Sequence, residues 1–173
     1  GGYLDSYGID LDFAPDADVN TNPDNPVIGT RAFSSDPQTA AGMVAAAVEG
    51  FADTGVLCCV KHYPGHGDTA EDSHKSLAAT HKTWQELAAC ELLPFQAGVR
   101  AGADLVMAGH IAAPEVTGED TPASLLPQLM GSIRTGLGFS GAIVTDSLAM
   151  EGITGLYSAG EAAVLAVQAG AGI

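Results

Sequence analysis

The stretch KHYPGHGDTAEDSH, residues 61–74, gathers three of the chain's five histidines with Lys61 and the carboxylates of Asp68, Glu71 and Asp72. Such a set could ligate a metal, cradle a phosphate or move a proton. Pro64, Gly65 and Gly67 exclude a helix, so His62 and His66 do not share a helical face as a zinc-protease pair would. His62, His66, His74 and a carboxylate could still meet around a metal from a loop, although their spacing matches no strong zinc pattern. A phosphate loop of the Walker type needs Gly-Lys-Ser/Thr, and here Lys61 precedes the glycines. Proton transfer needs only Asp72-Ser73-His74, whose carboxylate and imidazole fall on one side of a locally extended backbone. A carboxylate on one ring nitrogen fixes the tautomer, raises the imidazole's basicity and leaves the other nitrogen to give or take a proton. An arbitrary Asp-x-His is more often a surface pair in a turn, so a second group is required.

Thr145-Asp146-Ser147, directly after the apolar run AIV, supplies one. A lone Asp at a strand end is usually a cap or turn former. Opposite a histidine dyad, a carboxylate nucleophile completes the minimal apparatus for retaining glycoside hydrolysis.

The elements that must position these groups recur as strand, loop and helix. Apolar runs stand at Ile9 to Phe13, 56–60, 104–110 and 141–147. Asp36 with Pro37 predicts a helix reaching about Thr54, and Thr83 with Glu86 a capping box that opens the next. Pro94 should kink or split that second helix. Further helices are expected around Leu125 to Thr135 and over Ser158 to Ala169. Nearly continuous apolar strands alternating with helices indicate parallel α/β architecture. An open doubly wound sheet and a (β/α)8 TIM-type barrel compete. No GxGxxG follows a strand, which weakens a dinucleotide-binding sheet. Asp18, Lys61, His62, His110 and Asp146 all fall at or just past strand C-termini, which converge on one mouth only in a barrel. A full barrel needs about 250 residues. The 173 residues, opening on GGYLDSYGIDLDFAP as if inside a folded unit, predict part of a barrel lacking its first strands and its end.

Six cations against twenty-one anions, a net charge of −15, argue against a nucleic-acid partner. No apolar run reaches the roughly eighteen residues of a membrane span. Acidity singles out Arg31 and Lys61, which lie beside Gly, Pro and His in apparent loops. The three cysteines are odd in number, and adjacent Cys58 and Cys59 should point to opposite faces of a strand, so no disulfide framework is expected.

The chain resembles glycoside hydrolase family 3, and within it the β-N-acetylglucosaminidase branch. The resemblance rests on GIDLDFAPDADV (8–19), IGTRAF (28–33), KHYPGHGDTAEDSH (61–74) and GFSGAIVTDSLAM (138–150), in the family's order and across nearly the whole chain. It implies that Asp146 is the nucleophile, that His74 is the acid/base with Asp72 as its partner, and that Arg31, Lys61 and His62 bind the sugar. It implies a carbohydrate substrate, with neither metal nor cofactor. The family's β-glucosidases lack the DSH dyad, so the dyad selects the hexosaminidase reading. A β-glucosidase, a phosphorylase using the same intermediate, or a non-catalytic carbohydrate-binding barrel are the alternatives. The resemblance also places an early strand with a sugar-binding Asp upstream of Gly1, so the 173-residue chain alone is expected to be inactive and poorly folded.

Overall fold

The computed structural model describes residues 1–70 and 77–173. Its strands are β1 (Leu11–Asp12), β2 (Leu57–Tyr63), β3 (Ala78–Ala79), β4 (Leu105–Ala108), β5 (Ile111–Ala112) and β6 (Ala142–Thr145). Its α-helices are α1 (Gly2–Asp5), α2 (Pro37–Ala52), α3 (Trp84–Ala89), α4 (Leu92–Arg100), α5 (Pro114–Thr117), α6 (Pro127–Thr135), α7 (Glu151–Thr154) and α8 (Ala159–Ala169).

Local signals set the helix boundaries. Asp36 accepts the N–H of Thr39 at 2.8 Å, and Pro37 stands at the first position of α2, where no donor is lost. Thr83 with Glu86 opens α3, and Ser158 with Glu161 opens α8, each pair forming a reciprocal capping box. The helical segment after Thr83 is split at Cys90–Glu91. Pro94 falls in the first turn of α4, where a missing N–H costs no helical bond.

Four parallel strands pair in the order β1-β2-β4-β6, which is also their order along the chain. A doubly wound sheet would reverse that order at a switch point; a barrel wall does not. The described sheet is therefore an arc of a TIM-type barrel with helices on its outer side. The first strand is shorter than its apolar run suggests, and the second is longer. Lys61 and His62 lie within β2 rather than beyond it, because pairing with β4 continues to Tyr63↔Ala108 after a register shift from Val60. The sequence also gave no warning of the small parallel sheet of β3 and β5, which ties the loop after β2 to the loop after β4.

Side-chain alternation sorts the core into two layers. Cys58, Val60, Val106, Ala108 and Ile143 face the helices and meet Val44, Val48, Phe95 and Ile133. Cys59, Leu105, Met107 and Val144 form a separate cluster on the inner face. The two adjacent thiols thus belong to opposite layers, as period-two geometry requires, and both are free. Close packing of α4 on the sheet depends on Gly98, where a Cβ would come within 2.7 Å of Val60 Cγ1.

Candidate active site

The C-terminal ends of the four strands carry the polar residues. Beyond β1 the chain stays extended, so that Asp16 bridges to Lys61 and the N–H of Ala17 donates to the Lys61 carbonyl at 2.6 Å. This brings Asp16 and Asp18 beside His62. His62 Nδ1 lies 2.8 Å from Asp18 Oδ2, and the His66 N–H donates to Asp18 Oδ1 at 2.6 Å. Arg31 reaches the same cluster from the 3-10 turn Gly29–Arg31; its Nη2 is 3.4 Å from His62 Nε2 and 3.4 Å from Asp16 Oδ2.

A guanidinium can only donate, so His62 Nε2 must accept from Arg31. Nδ1 then carries the hydrogen and donates it to Asp18. His62 is a neutral imidazole in one fixed tautomer. Burial agrees, pushing its pKa down to about 4, with the cations of Arg31 and Lys61 acting in the same direction against Asp16 and Asp146. Burial pushes Asp16 up to about 7, and the neighbouring charge of Asp18 adds to the shift. Burial raises Asp18 to about 7 as well, against the N–H groups of His66 and His62 that favour its charge. With the oxygens of Asp18 taken by donors, Asp16 is the member of the pair that holds a proton near neutrality.

Asp146 follows β6 directly. Its N–H donates to the Ala108 carbonyl at 3.0 Å, and its Oδ1 accepts the Ser147 N–H at 2.7 Å. Its charge reaches both His62 and His66, raising the basicity of each against the dominant effect of burial. Lys61, His62 and Asp146 therefore converge from their strand ends on one mouth, and Arg31 joins them from its 3-10 turn. Asp72 and His74 lie outside the described residues.

Other groups in the mouth gave weaker sequence signals. Asn25 accepts from the N–H groups of Val27 at 2.9 Å and Ile28 at 2.7 Å, and its amide donates to the His66 carbonyl at 2.7 Å. It fastens the arginine loop to the histidine loop. The Asn-Pro step that favours such an Asx turn was its one visible trace. His66 is a structural member of this knot: Nδ1 lies 2.6 Å from Thr69 Oγ1, whose own hydroxyl donates to the His66 carbonyl at 3.0 Å. Gly67 allows the loop to lie against the chain after Asp18, since a Cβ there would stand 1.9 Å from the Val19 carbonyl oxygen. The stem of the histidine loop is held where Thr80 Oγ1 donates to Asp68 at 2.8 Å and Lys82 pairs with Asp68 and the buried Glu91.

Asp16, Asp18 and His62 offer ligand atoms within 4.8 Å of one another. Asp18 already accepts from His62 and His66, and a guanidinium stands against Asp16. A cation would have to break the first contacts and displace the second. The set is better suited to holding Arg31 than a metal.

Parallel strands and the turn at Arg31 bring a carboxylate, two cations and a fixed imidazole to one mouth of a (β/α)-barrel. Residues 3–173 match the model of the glycosyl hydrolase family 3 N-terminal domain, and the chain belongs to that family. It is 43% identical over 144 residues to a β-hexosaminidase of Stenotrophomonas maltophilia, an alignment spanning 83% of this chain and 42% of the relative. A family 3 β-N-acetylglucosaminidase structure from Paenibacillus sp. superposes with a TM-score of 0.96 at 44% identity, over 99% of this chain and 33% of that one. A β-glucoside phosphorylase, BglX bound to 2FGlc, superposes with a TM-score of 0.92 at 31% identity, over 97% of this chain and 32% of that one. The chain thus spans less than half the length of each.

Proposed function

We propose that residues 1–173 are part of the N-terminal catalytic barrel of a longer retaining exo-β-N-acetylglucosaminidase. Its substrates would carry terminal β-linked N-acetylglucosamine, as cell-wall muropeptides and chitin-derived oligosaccharides do. The observation that carries this reading is the meeting of Asp146 with Arg31, Lys61 and His62 at one mouth of the barrel, in a chain that also contains the Asp72-Ser73-His74 dyad. Asp146 attacks the anomeric carbon as the glycosidic C–O bond breaks, and His74 gives its proton to the departing oxygen. His74, paired with Asp72, then takes a proton from water, whose oxygen displaces Asp146 and releases the sugar. An imidazole acid avoids the repulsion that a second carboxylate beside Asp146 would suffer. Arg31 and Lys61 bind polar groups of the sugar, with His62 holding the guanidinium.

Incubation of the full-length protein with 5-fluoro-N-acetylglucosaminyl fluoride, which keeps the 2-acetamido group, tests the covalent step. A mass shift located on Asp146, with loss of turnover in Asp146→Asn, is the expected result. A full-rate Asp146→Asn variant would overturn the assignment. The likeness to a β-glucoside phosphorylase supports a second reading, in which phosphate rather than water takes the sugar from Asp146. Parallel assays of a glucoside and an N-acetylglucosaminide, each with and without phosphate, separate the two.

A further inference from the structure

His110 lies past β4, is 1% exposed, and has no part in the sugar binding and proton transfer proposed above. Its Nε2 is 2.9 Å from the carbonyl oxygen of Ser147, the residue after Asp146. A carbonyl oxygen only accepts, so Nε2 carries the hydrogen. On the other side of the ring, Nδ1 stands 2.8 Å from the hydroxyl of fully buried Ser124, whose N–H in turn donates to the Gly109 carbonyl at 3.3 Å. The imidazole is thus braced between a fixed hydroxyl and the peptide that follows the carboxylate.

Ser147 makes two bonds that bear on Asp146. Its carbonyl is held by His110, and its N–H donates to Asp146 Oδ1 at 2.7 Å. The backbone of Asp146 is anchored separately, through its N–H to Ala108. Fixing both ends of residue 147 fixes the direction of that N–H, and so the rotation of the carboxylate. Oδ1 is occupied by a backbone donor, which leaves Oδ2 to form the bond to the anomeric carbon.

We propose that His110 is a positioning residue: by donating Nε2–H to the Ser147 carbonyl it aims the Asp146 carboxylate and selects Oδ2 as the attacking oxygen. The proposal rests on Asp146 being the nucleophile. His110 touches no substrate in this scheme. It acts on the rate of glycosyl transfer to Asp146 and leaves sugar binding at Arg31, Lys61 and His62 unaltered.

The test uses His110→Gln, His110→Asn and His110→Phe in the full-length protein. A Gln amide can place an N–H near the position of Nε2, whereas Asn reaches only toward Ser124 and Phe offers no donor. Misaiming a reacting atom by about 1 Å costs on the order of 10²-fold, so His110→Phe and His110→Asn should lose about that factor in kcat with KM little changed. The rate of covalent trapping by the 5-fluoro sugar should fall in parallel, and His110→Gln should recover most of it. If His110→Phe does not fold, His110→Asn, which keeps the buried bond to Ser124, decides the question. Nitrogen-15 spectra of the unaltered protein should show His110 protonated at Nε2. Normal kcat in His110→Asn, a KM-only effect, or an Nε2 without hydrogen would each overturn the proposal. Asp146→Asn assayed alongside separates the two failures. Loss of activity there with full activity in His110→Asn sinks this inference alone, and retained activity there removes the nucleophile and the inference together.

Discussion

Arg31 presents only donors to His62, and that one-sidedness propagates inward to Asp18. Replacing Asp18 by Asn puts an amide where two acceptor oxygens are needed. If the amide oxygen faces His62, its nitrogen opposes the His66 N–H; if reversed, the nitrogen opposes Nδ1–H. Either way a buried hydrogen bond to a charged group is lost, worth about 1.5–3 kcal/mol. Asp18→Asn in the full-length protein should therefore lower kcat/KM about 10- to 100-fold by loosening Arg31. The His62 nitrogen-15 signals should show a changed tautomer mixture, and an unchanged spectrum with full activity would refute the relay. Asp16 gives a pH prediction. Its folded-state pKa of about 7 is raised, so its contribution is fully present below the ordinary carboxylate range and is lost as pH rises through about 7. Relative to Asp16→Asn, which cannot ionise, the unaltered protein should lose stability between about pH 4 and pH 7 in urea titrations. A constant difference between the two would refute the shift. At this scale the sequence was informative about residue type and position. KHYPGHG and TDS announced reactive groups, but the His62 tautomer depends on a donor, Arg31, and an acceptor, Asp18, from segments thirty to fifty residues away.

Helix starts were the most legible elements, because capping is a short-range bond between residues three apart. Asp36, Thr83 and Ser158 each cap the helix expected of them. Strand ends were less so. An apolar run marks burial, but pairing decides where a strand stops, and β2 continues through polar Lys61 and His62 because β4 lies beside it. The loops were readable only in composition. Gly67 is a case where composition hides a steric demand. Gly67→Ala would press a methyl group on the Val19 carbonyl, and overpacking against backbone costs on the order of 1–3 kcal/mol. The urea midpoint should fall accordingly, and kcat should fall with it, since the same contact seats the histidine loop beside Asp18. An Ala variant with unchanged stability would show that the two segments separate more readily than their packing implies.

As a whole, the described chain is an arc of barrel wall: β1 pairs on one side only among the described residues, and the far side of β6 is met by the short stretch Gly172–Ile173, through the Gly172 N–H to the Ile143 carbonyl and the Thr145 N–H to the Ile173 carbonyl. Exposed apolar side chains accumulate toward both flanks: Tyr3, Tyr7 and Leu57 near β1, and Leu156, Val164 and Val167 on and before α8. Barrel closure removes such edges, and an arc retains them. The 173-residue segment expressed alone should bind a hydrophobic dye, associate on concentration and fail to turn over a chromogenic N-acetylglucosaminide. Measurable turnover would show that the arc suffices. The parallel order and the common mouth were legible from strand spacing and from where polar residues interrupt apolar runs. The curvature that brings Asp146 within electrostatic reach of His62 was not, since it is a property of the sheet and of no single strand.

The neighbouring cysteines offer an internal stopwatch for how such an arc comes apart. Cys58 lies in the layer under the helices and Cys59 in the inner layer, and burial raises the thiol of each, that of Cys59 to about 12. Neither reacts quickly while its layer is closed. In timed alkylation with mass spectrometry, earlier labelling of Cys58 would report peeling of the helices, and earlier labelling of Cys59 would report opening from the barrel interior. Two sulfurs one residue apart would thus date separate events on the two sides of a single strand.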